Sequence, residues 1–383
     1  MSLTESVLLR ATLVLGLSLS GAALLWGFFG PPDDAPQAPR PLVAPTGTDD
    51  CLGSPKYTAQ TEVLFGPDTS AAATWRTKLV TCPDVVTGTD GSRRMYFKYQ
   101  DATGDSGIGM AIRQGSTWEV QPEPVLRPSD LAGQGVEQLG CTTTLVEGSL
   151  ERHWFRANLP GKQRVIFAAT SHGGHWEVEP GGPVLEATED WMRGSLWEPS
   201  VLRDTNTYRM YMRCGSHVKS TLCMATSPDG DEWTMHPQPV AMHPRPGKGA
   251  LYDSPQVIRH GDQYYLWYTR KWFPDLKSGS SPAEDEPSQS EIGLAVSADP
   301  AWFDLEATPD AILEAGAADW MAGVVDHPFV DVEDGHPVLY FRGAASDAGE
   351  EGSIGRAAAG CTATTGLPSR FFDFQRRQLG PQR

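Results

Sequence analysis

Residues 197–240 read WEPSVLRDTNTYRMYMRCGSHVKSTLCMATSPDGDEWTMHPQPV. Four short strand-like pieces follow one another here. WEPSVL (197–202) carries a proline, YRMYMRC (208–214) alternates large apolar with polar residues, TLCMATS (221–227) is built from small residues, and WTMHPQPV (233–240) runs from Trp to Pro-Val. Alternation at period two is the mark of a strand whose two faces meet different surroundings. Between the third and fourth pieces, SPDGDEW (227–233) puts Asp-Gly where a tight turn needs positive φ.

The same order recurs along the chain. The first unit holds CPDVV (82–86), RMYFKY (94–99), GIGMAI (107–112) and WEVQPEPVL (118–126). The second holds CTTTLV (141–146), RHWFRA (152–157), VIFAATS (165–171) and WEVEPGGPVL (176–185). The stretch quoted above is the third. The fourth holds YDSPQVI (252–258), YYLWYTR (264–270), EIGLAVS (291–297) and WFDLEATPDAIL (302–313). The fifth holds VDHPFV (325–330), PVLYFR (337–342) and SIGRAA (353–358), with FFDFQRRQL (371–379) expected as its fourth piece. The segment YTAQTEVLFGP (57–67) also ends like the other units, so it is the alternative closing strand. A four-strand unit repeated every ~50–70 residues predicts an all-β five-bladed β-propeller with four-stranded antiparallel blades, over residues 57–380. A β-sandwich does not require such a repeat, and a β-helix repeats in about 20–30 residues.

Composition agrees. The 383 residues include 12 Trp, 10 Tyr and 13 Phe for buried surface, and 40 Gly with 31 Pro for turns. The formal charge of −17 argues against a nucleic-acid partner, which needs clustered cations. Residues 13–29 (LVLGLSLSGAALLWGFF) form an apolar run behind Arg10 and ahead of Asp33 and Asp34. Residues 1–30 therefore read as a hydrophobic helix, either a membrane anchor or a cleaved signal, with the body outside. The run is short for a span and long for a signal core, and the absence of an A-x-A site favours the anchor. Residues 31–56 are a Pro-rich linker. A periplasmic or extracellular monomer, touching the membrane through the N-terminal segment only, is expected.

Six cysteines follow the apolar run. An even number in an exported chain suggests disulfides, with fifteen pairings open. The repeat favours Cys214 with Cys223 across one hairpin. Cys51 with Cys361 would tie the chain ends, leaving Cys82 with Cys141. No C-x-x-C pair is present, and no metal site is expected. His172 and His175 are weak ligand candidates. A calcium ion in the central channel is compatible with a propeller but has no signature here.

The inner-strand prolines align the units. Just before them stand Cys82, Glu198, Ser254 and His327; one residue earlier stand Thr81, Trp197, Asp253 and Asp326. Three adjacent units thus bring the carboxylates Glu198, Asp253 and Asp326 to one mouth of the hub. The second strands return to that mouth with Lys98, Arg156, Arg213 and Arg342, and with Arg270 displaced by one. These cations either pair with the carboxylates or hold an anionic part of a ligand. Trp197, with Trp191 and Trp320 from two DWMxG segments, either packs between blades or stacks on a sugar. The insert 273–291 joins strands two and three of the fourth unit on the same side, as a lid or a decoration.

The chain resembles the five-bladed propeller glycoside hydrolases: the arabinanase and β-xylosidase family, the invertase and levansucrase family, and the mannoside phosphorylases on the same fold. The resemblance covers about residues 57–380 and rests on the blade pattern, together with WEP at Glu198 and YDSP at Asp253. It implies a carbohydrate ligand and glycosidic cleavage by inner-strand carboxylates of blades one, three and four. Asp253 then serves as the acid, Glu198 or Asp84 as its partner, and Asp326 as an auxiliary. Blade one departs from the pattern, because TCPDVV offers Cys82 where a carboxylate is implied and Asp84 lies two residues further on. A non-catalytic carbohydrate-binding or scaffold propeller is the alternative.

Overall fold

The structure is a computed structural model. It describes residue 57, residues 62–68, residue 70, and residues 75–88, 90–172, 174–216, 219–241, 251–273, 289–305, 311–333, 336–346 and 351–359. Residues 1–56, with Cys51, and residues 360–383, with Cys361, lie outside the described residues, as do 274–288 of the blade-four insert.

Five four-stranded antiparallel sheets are present. The N-terminal strand β1 spans Glu62–Phe65. Blade one comprises β2 (Leu79–Thr87), β3 (Arg93–Gln100), β4 (Ser106–Gln114) and β5 (Thr117–Val120). Blade two comprises β6 (Gln138–Glu147), β7 (Leu150–Asn158), β8 (Arg164–His172) and β9 (His175–Val178). Blade three comprises β10 (Leu196–Asp204), β11 (Thr207–Ser216), β12 (Lys219–Ser227) and β13 (Thr234–Met235). Blade four comprises β14 (Leu251–His260), β15 (Gln263–Trp272), β16 (Gln289–Ser297) and β17 (Leu313–Glu314). Blade five comprises β18 (Val324–Glu333), β19 (His336–Ala344) and β20 (Ser353–Ala358).

The fourth strand of blade five is β1. It pairs antiparallel with β20, Glu62 facing Arg356. The chain therefore uses its own beginning to complete its last blade, the alternative that residues 57–67 offered. Residues 371–379, expected in that place, lie outside the described residues. This closure ties the ring with backbone hydrogen bonds and covers the edge of β20.

The period-two pattern of the second strands has a direct structural cause. Every seam between blades holds one apolar cluster, and alternate residues feed opposite seams. In β3, Tyr96 joins the blade one–two seam while Met95 and Phe97 join the blade five–one seam. In β15, Leu266 and Tyr268 face blade three, and Tyr265 and Trp267 face blade five. Both DWM segments form short 3₁₀ turns, Asp190–Met192 and Asp319–Met321. Trp191 packs on the blade two–three seam. Trp320 stacks on Phe341 with ring centroids 5.5 Å apart. A Cβ on Gly343 or Gly355 would meet the Trp320 ring at 2.2 Å, so this packing requires glycine at both positions.

The inner strands β2, β6, β10, β14 and β18 line the hub. Each is broken by a bulge near its start, where pairing with the second strand shifts. In four of them the pre-proline residue takes positive φ: Cys82 at 55°, Glu198 at 51°, Ser254 at 49° and His327 at 53°. This conformation is strained for a side chain and unusual before proline. In four of the blades, a polar side chain two residues past the bulge residue clasps the next blade. Thr143 Oγ1 accepts from Val201 N at 3.2 Å, Ser200 Oγ accepts from Val257 N at 3.1 Å, and Gln256 Oε1 accepts from Val330 N at 3.0 Å. Asp84 holds the same position in blade one and accepts from Thr144 Oγ1 of blade two at 2.6 Å.

Candidate functional site

The strained bulges decide which side chains meet. Glu198, Asp253 and Asp326 come from three adjacent blades and are nearly inaccessible to solvent. Glu198 Oε2 accepts from the backbone N–H of Ser254 at 2.8 Å and lies 3.2 Å from the Ser254 hydroxyl. The same hydroxyl is 3.3 Å from Asp253 Oδ1. Glu198 and Asp253 are thus separated by a single bridging hydroxyl. Arg213 also faces both, at 3.9 Å from Glu198 and 3.5 Å from Asp253.

Asp326 is surrounded by cations. Arg342 donates to it at 2.9 Å, Lys271 stands at 3.4 Å, and His327 Nδ1 lies 2.7 Å away. His327 Nε2 reaches Glu198 at 3.6 Å. Lys271 spans to Asp253 at 3.5 Å. Burial pulls the His327 imidazolium down, but Asp326 beside it and Glu198 outweigh that and hold it up at about 9. Burial pushes the Glu198 carboxyl up, yet His327, Arg213 and Lys271 together bring it well below the usual range. Asp326 is likewise held far below it, by Arg342, His327 and Lys271 against burial. Glu198 and Asp326 are therefore ionised and His327 is protonated at neutral pH.

Lys98, Arg156, Arg213 and Arg342 all border this cluster. Lys98 feels Arg156, Arg342 and Glu198, and Arg156 feels Glu198, Arg164 and Arg213. Arg270 does not belong to it. Its guanidinium pairs with Glu291 of β16 and lies over Trp272. In β15 the residue opposite Asp253 is Thr269, so Arg270 points to the other face and Lys271 returns to the hub two positions on. Strand alignment alone misses Lys271; its signal is parity with Thr269. Thr269 itself accepts the His327 N–H at 3.1 Å.

Trp197 is buried, and its indole N–H donates to Gly215 O at 3.0 Å. Three guanidinium carbons surround its ring, Arg164 at 3.8 Å, Arg213 at 4.6 Å and Arg156 at 4.9 Å. In this arrangement the indole orients arginines, each contact contributing about 0.5–2 kcal/mol, rather than offering a face to a sugar.

Cys82 is bonded to Cys141, and Cys214 to Cys223. The first bridge fills the blade-one position at which the resemblance implies a carboxylate. Both of its sulfurs lie within 4.8 Å of a His327 ring nitrogen. Bonded to one another, they supply no thiolate to a metal.

Asp84 is not part of the carboxylate cluster. It lines a cavity of about 180 Å³ whose walls run from the bulge residues to the far ends of the five inner strands. The Cys82–Cys141 bridge, Glu198, Ser254 and His327 border this cavity, whereas Asp253 and Asp326 do not. Burial pushes the Asp84 carboxyl up to about 8, against the Thr144 hydrogen bond. Beyond Thr144 a buried chain continues through His153 and Ser171 to Glu151, which also receives Arg94 and Tyr96. The bulge thus places Asp84 between blades one and two, against Thr144 and outside the cluster that holds Asp253.

No protein-family model matches the chain, and no curated protein matches it in sequence. Solved structures do match in shape. BT0996, solved as a complex with RGII, superposes with a TM-score of 0.63 at 14% identity, over 82% of this protein and 94% of that one. A member of the GH130 family, which contains mannoside phosphorylases and hydrolases of β-1,2 mannosidic linkages in Candida mannan, gives 0.59 at 17%, over 80% and 92%. The Bombyx mori GH32 β-fructofuranosidase gives 0.56 at 13%, over 81% and 65%. The fold is that of the propeller glycoside hydrolases. Within this propeller, Glu198 of blade three and Asp253 of blade four meet at the hub, and blade one presents the Cys82–Cys141 disulfide at the aligned position.

Proposed function

We propose that this chain is an extracytoplasmic glycan-processing protein that cleaves a glycosidic bond at the start-side mouth of its hub. The observation that carries this reading is the shared Ser254 hydroxyl between Glu198 and Asp253, two carboxylates 55 positions apart in sequence and on adjacent blades. Asp253 serves as the acid that passes a proton to the leaving oxygen. Glu198, already ionised, receives the proton of the attacking water or attacks the anomeric carbon. Asp326 and His327 keep Glu198 charged and oriented. The two disulfides among the described residues fit an oxidising compartment, periplasmic or extracellular.

A second reading, a propeller that binds glycans without cleaving them, is favoured by the Cys82–Cys141 bridge in blade one. Screening aryl glycosides and polysaccharides against the wild type and Asp253→Asn separates the two. Turnover by the wild type that Asp253→Asn loses by 10²-fold or more supports cleavage. Glycan binding without turnover in either protein supports the second reading.

A further inference from the structure

We propose that the mouth of the hub recognises an oxyanion carried on the glycan, a carboxylate or a sulfate, so that the ligand is an acidic rather than a neutral sugar. This rests on the glycan reading above. The first observation is a local reversal of sign. The chain carries −17 overall, yet Lys98, Arg156, Arg213, Lys271, Arg342 and His327 converge on only Glu198, Asp253 and Asp326. Those three carboxylates are already engaged by Arg213, Lys271, Arg342 and His327.

The second observation is that two cations lack such a match. Among the described residues, neither the Lys98 nor the Arg156 side chain forms a hydrogen bond or an ion pair. Arg156 is only 6% exposed, and its Nε is buried without a partner. Burying a cation unpaired is costly, and a neutral hydroxyl repays little of that cost. An oxyanion repays it through charge-assisted hydrogen bonds, and the planar guanidinium fits a carboxylate or sulfate edge. Arg156 is also held in place. It lies over Trp197 at 4.9 Å, and it packs so closely on Gly140 that a Cβ there would meet its Nε at 2.1 Å.

Burial, Arg156 and Arg342 pull Lys98 down to about 7, with Glu198 opposing them. An anion bound beside Lys98 therefore draws a proton onto it near neutrality. The groups that set this titration are Arg156 from blade two, Glu198 from blade three and Arg342 from blade five.

The test is calorimetry on the full chain with an array of neutral, uronate-bearing and sulfated oligosaccharides, and with inorganic phosphate alone. Acidic members are expected to bind at least about ten-fold tighter than neutral ones of the same backbone, with proton uptake near pH 7. Arg156→Gln and Lys98→Met should each collapse that difference. Without ligand, both variants should melt no lower than the wild type, because Arg156→Gln removes an unmatched buried charge and Lys98→Met an unmatched, partly buried one; this shows that they fold. Equal affinity for acidic and neutral backbones overturns the proposal and leaves the glycan reading standing. Phosphate bound as tightly as any acidic glycan overturns the glycan-borne source in favour of a free oxyanion. Failure of every oligosaccharide to bind overturns both readings.

Discussion

The His327 Nδ1–H donates to Asp326, its own neighbour in sequence, across 2.7 Å. Adjacent residues on a regular strand point to opposite faces, so this contact exists only because His327 sits at positive φ within the β18 bulge. The pair makes a charge that depends on pH. With a folded value of about 9 against an ordinary 6.5, His327 stabilises the fold fully below pH ~6.5, and that contribution disappears as pH rises through 9. Urea denaturation of wild type and His327→Gln should show a gap on the order of 3 kcal/mol at pH 6 that closes by pH 10. A gap independent of pH would refute the assignment.

Glu198 contributes to the same charge from the other side. Glu198→Gln should lower the His327 midpoint measurably below 9, because one of its two carboxylate partners becomes neutral. Imidazole proton shifts followed by NMR against pH report this directly. An unchanged midpoint would mean that Asp326 alone sets it.

Asp84 has the same sense of linkage, stability falling as pH rises, but over a lower window and as a penalty on the fold rather than a gain. Its carboxyl is held up at about 8, so the folded chain keeps a proton that the unfolded chain releases near pH 4. Stability therefore falls by about 1.4 kcal/mol per pH unit for this group between those values. Asp84→Asn should gain on the wild type progressively from pH 4 to 8. Turnover, if present in the wild type, should survive this change, because Asp84 lies outside the carboxylate cluster.

The two disulfides should differ in weight. Cys82–Cys141 closes a sequence separation of 59 and Cys214–Cys223 one of 9. Chain-entropy arguments give about 4 and about 3 kcal/mol respectively. Replacing each pair with alanine and comparing denaturation midpoints checks the order. Equal losses would point to a denatured state that is already compact.

Gly355→Ala should cost about 1–3 kcal/mol, because its new methyl meets the Trp320 ring. Gly115→Ala serves as an open-space comparison, although its φ of 62° adds backbone strain of its own. If the Gly355 variant melts with the wild type, Trp320 moves freely and does not brace the seam between blades four and five.

Much of the architecture could be read directly from residue order. The second strands alternate because each side chain feeds one of two seams, and Tyr96 against Phe97 shows the rule in two neighbouring residues. The prolines aligned the starts of the inner strands, and so brought Glu198, Asp253 and Asp326 to one end of the hub; the bulges beside them appear only in the structure. Reading by strand alignment failed where parity mattered: Arg270 turns away to Glu291, while Lys271 enters the hub. It also could not choose between the two chain ends for the closing strand, because both offer strand-like segments and only pairing with β20 distinguishes them.

What the order of amino acids settled alone was the repeat: strand period, turn chemistry and proline position are local properties, encoded within a few residues. Three-dimensional packing settled the chemistry. A positive-φ bulge reverses which face a side chain takes, and a ring of blades places residues from distant strands beside one another. Whether Glu198 is charged, whether Arg156 has a partner and what stands opposite Cys82 are therefore consequences of neighbours that no local pattern names.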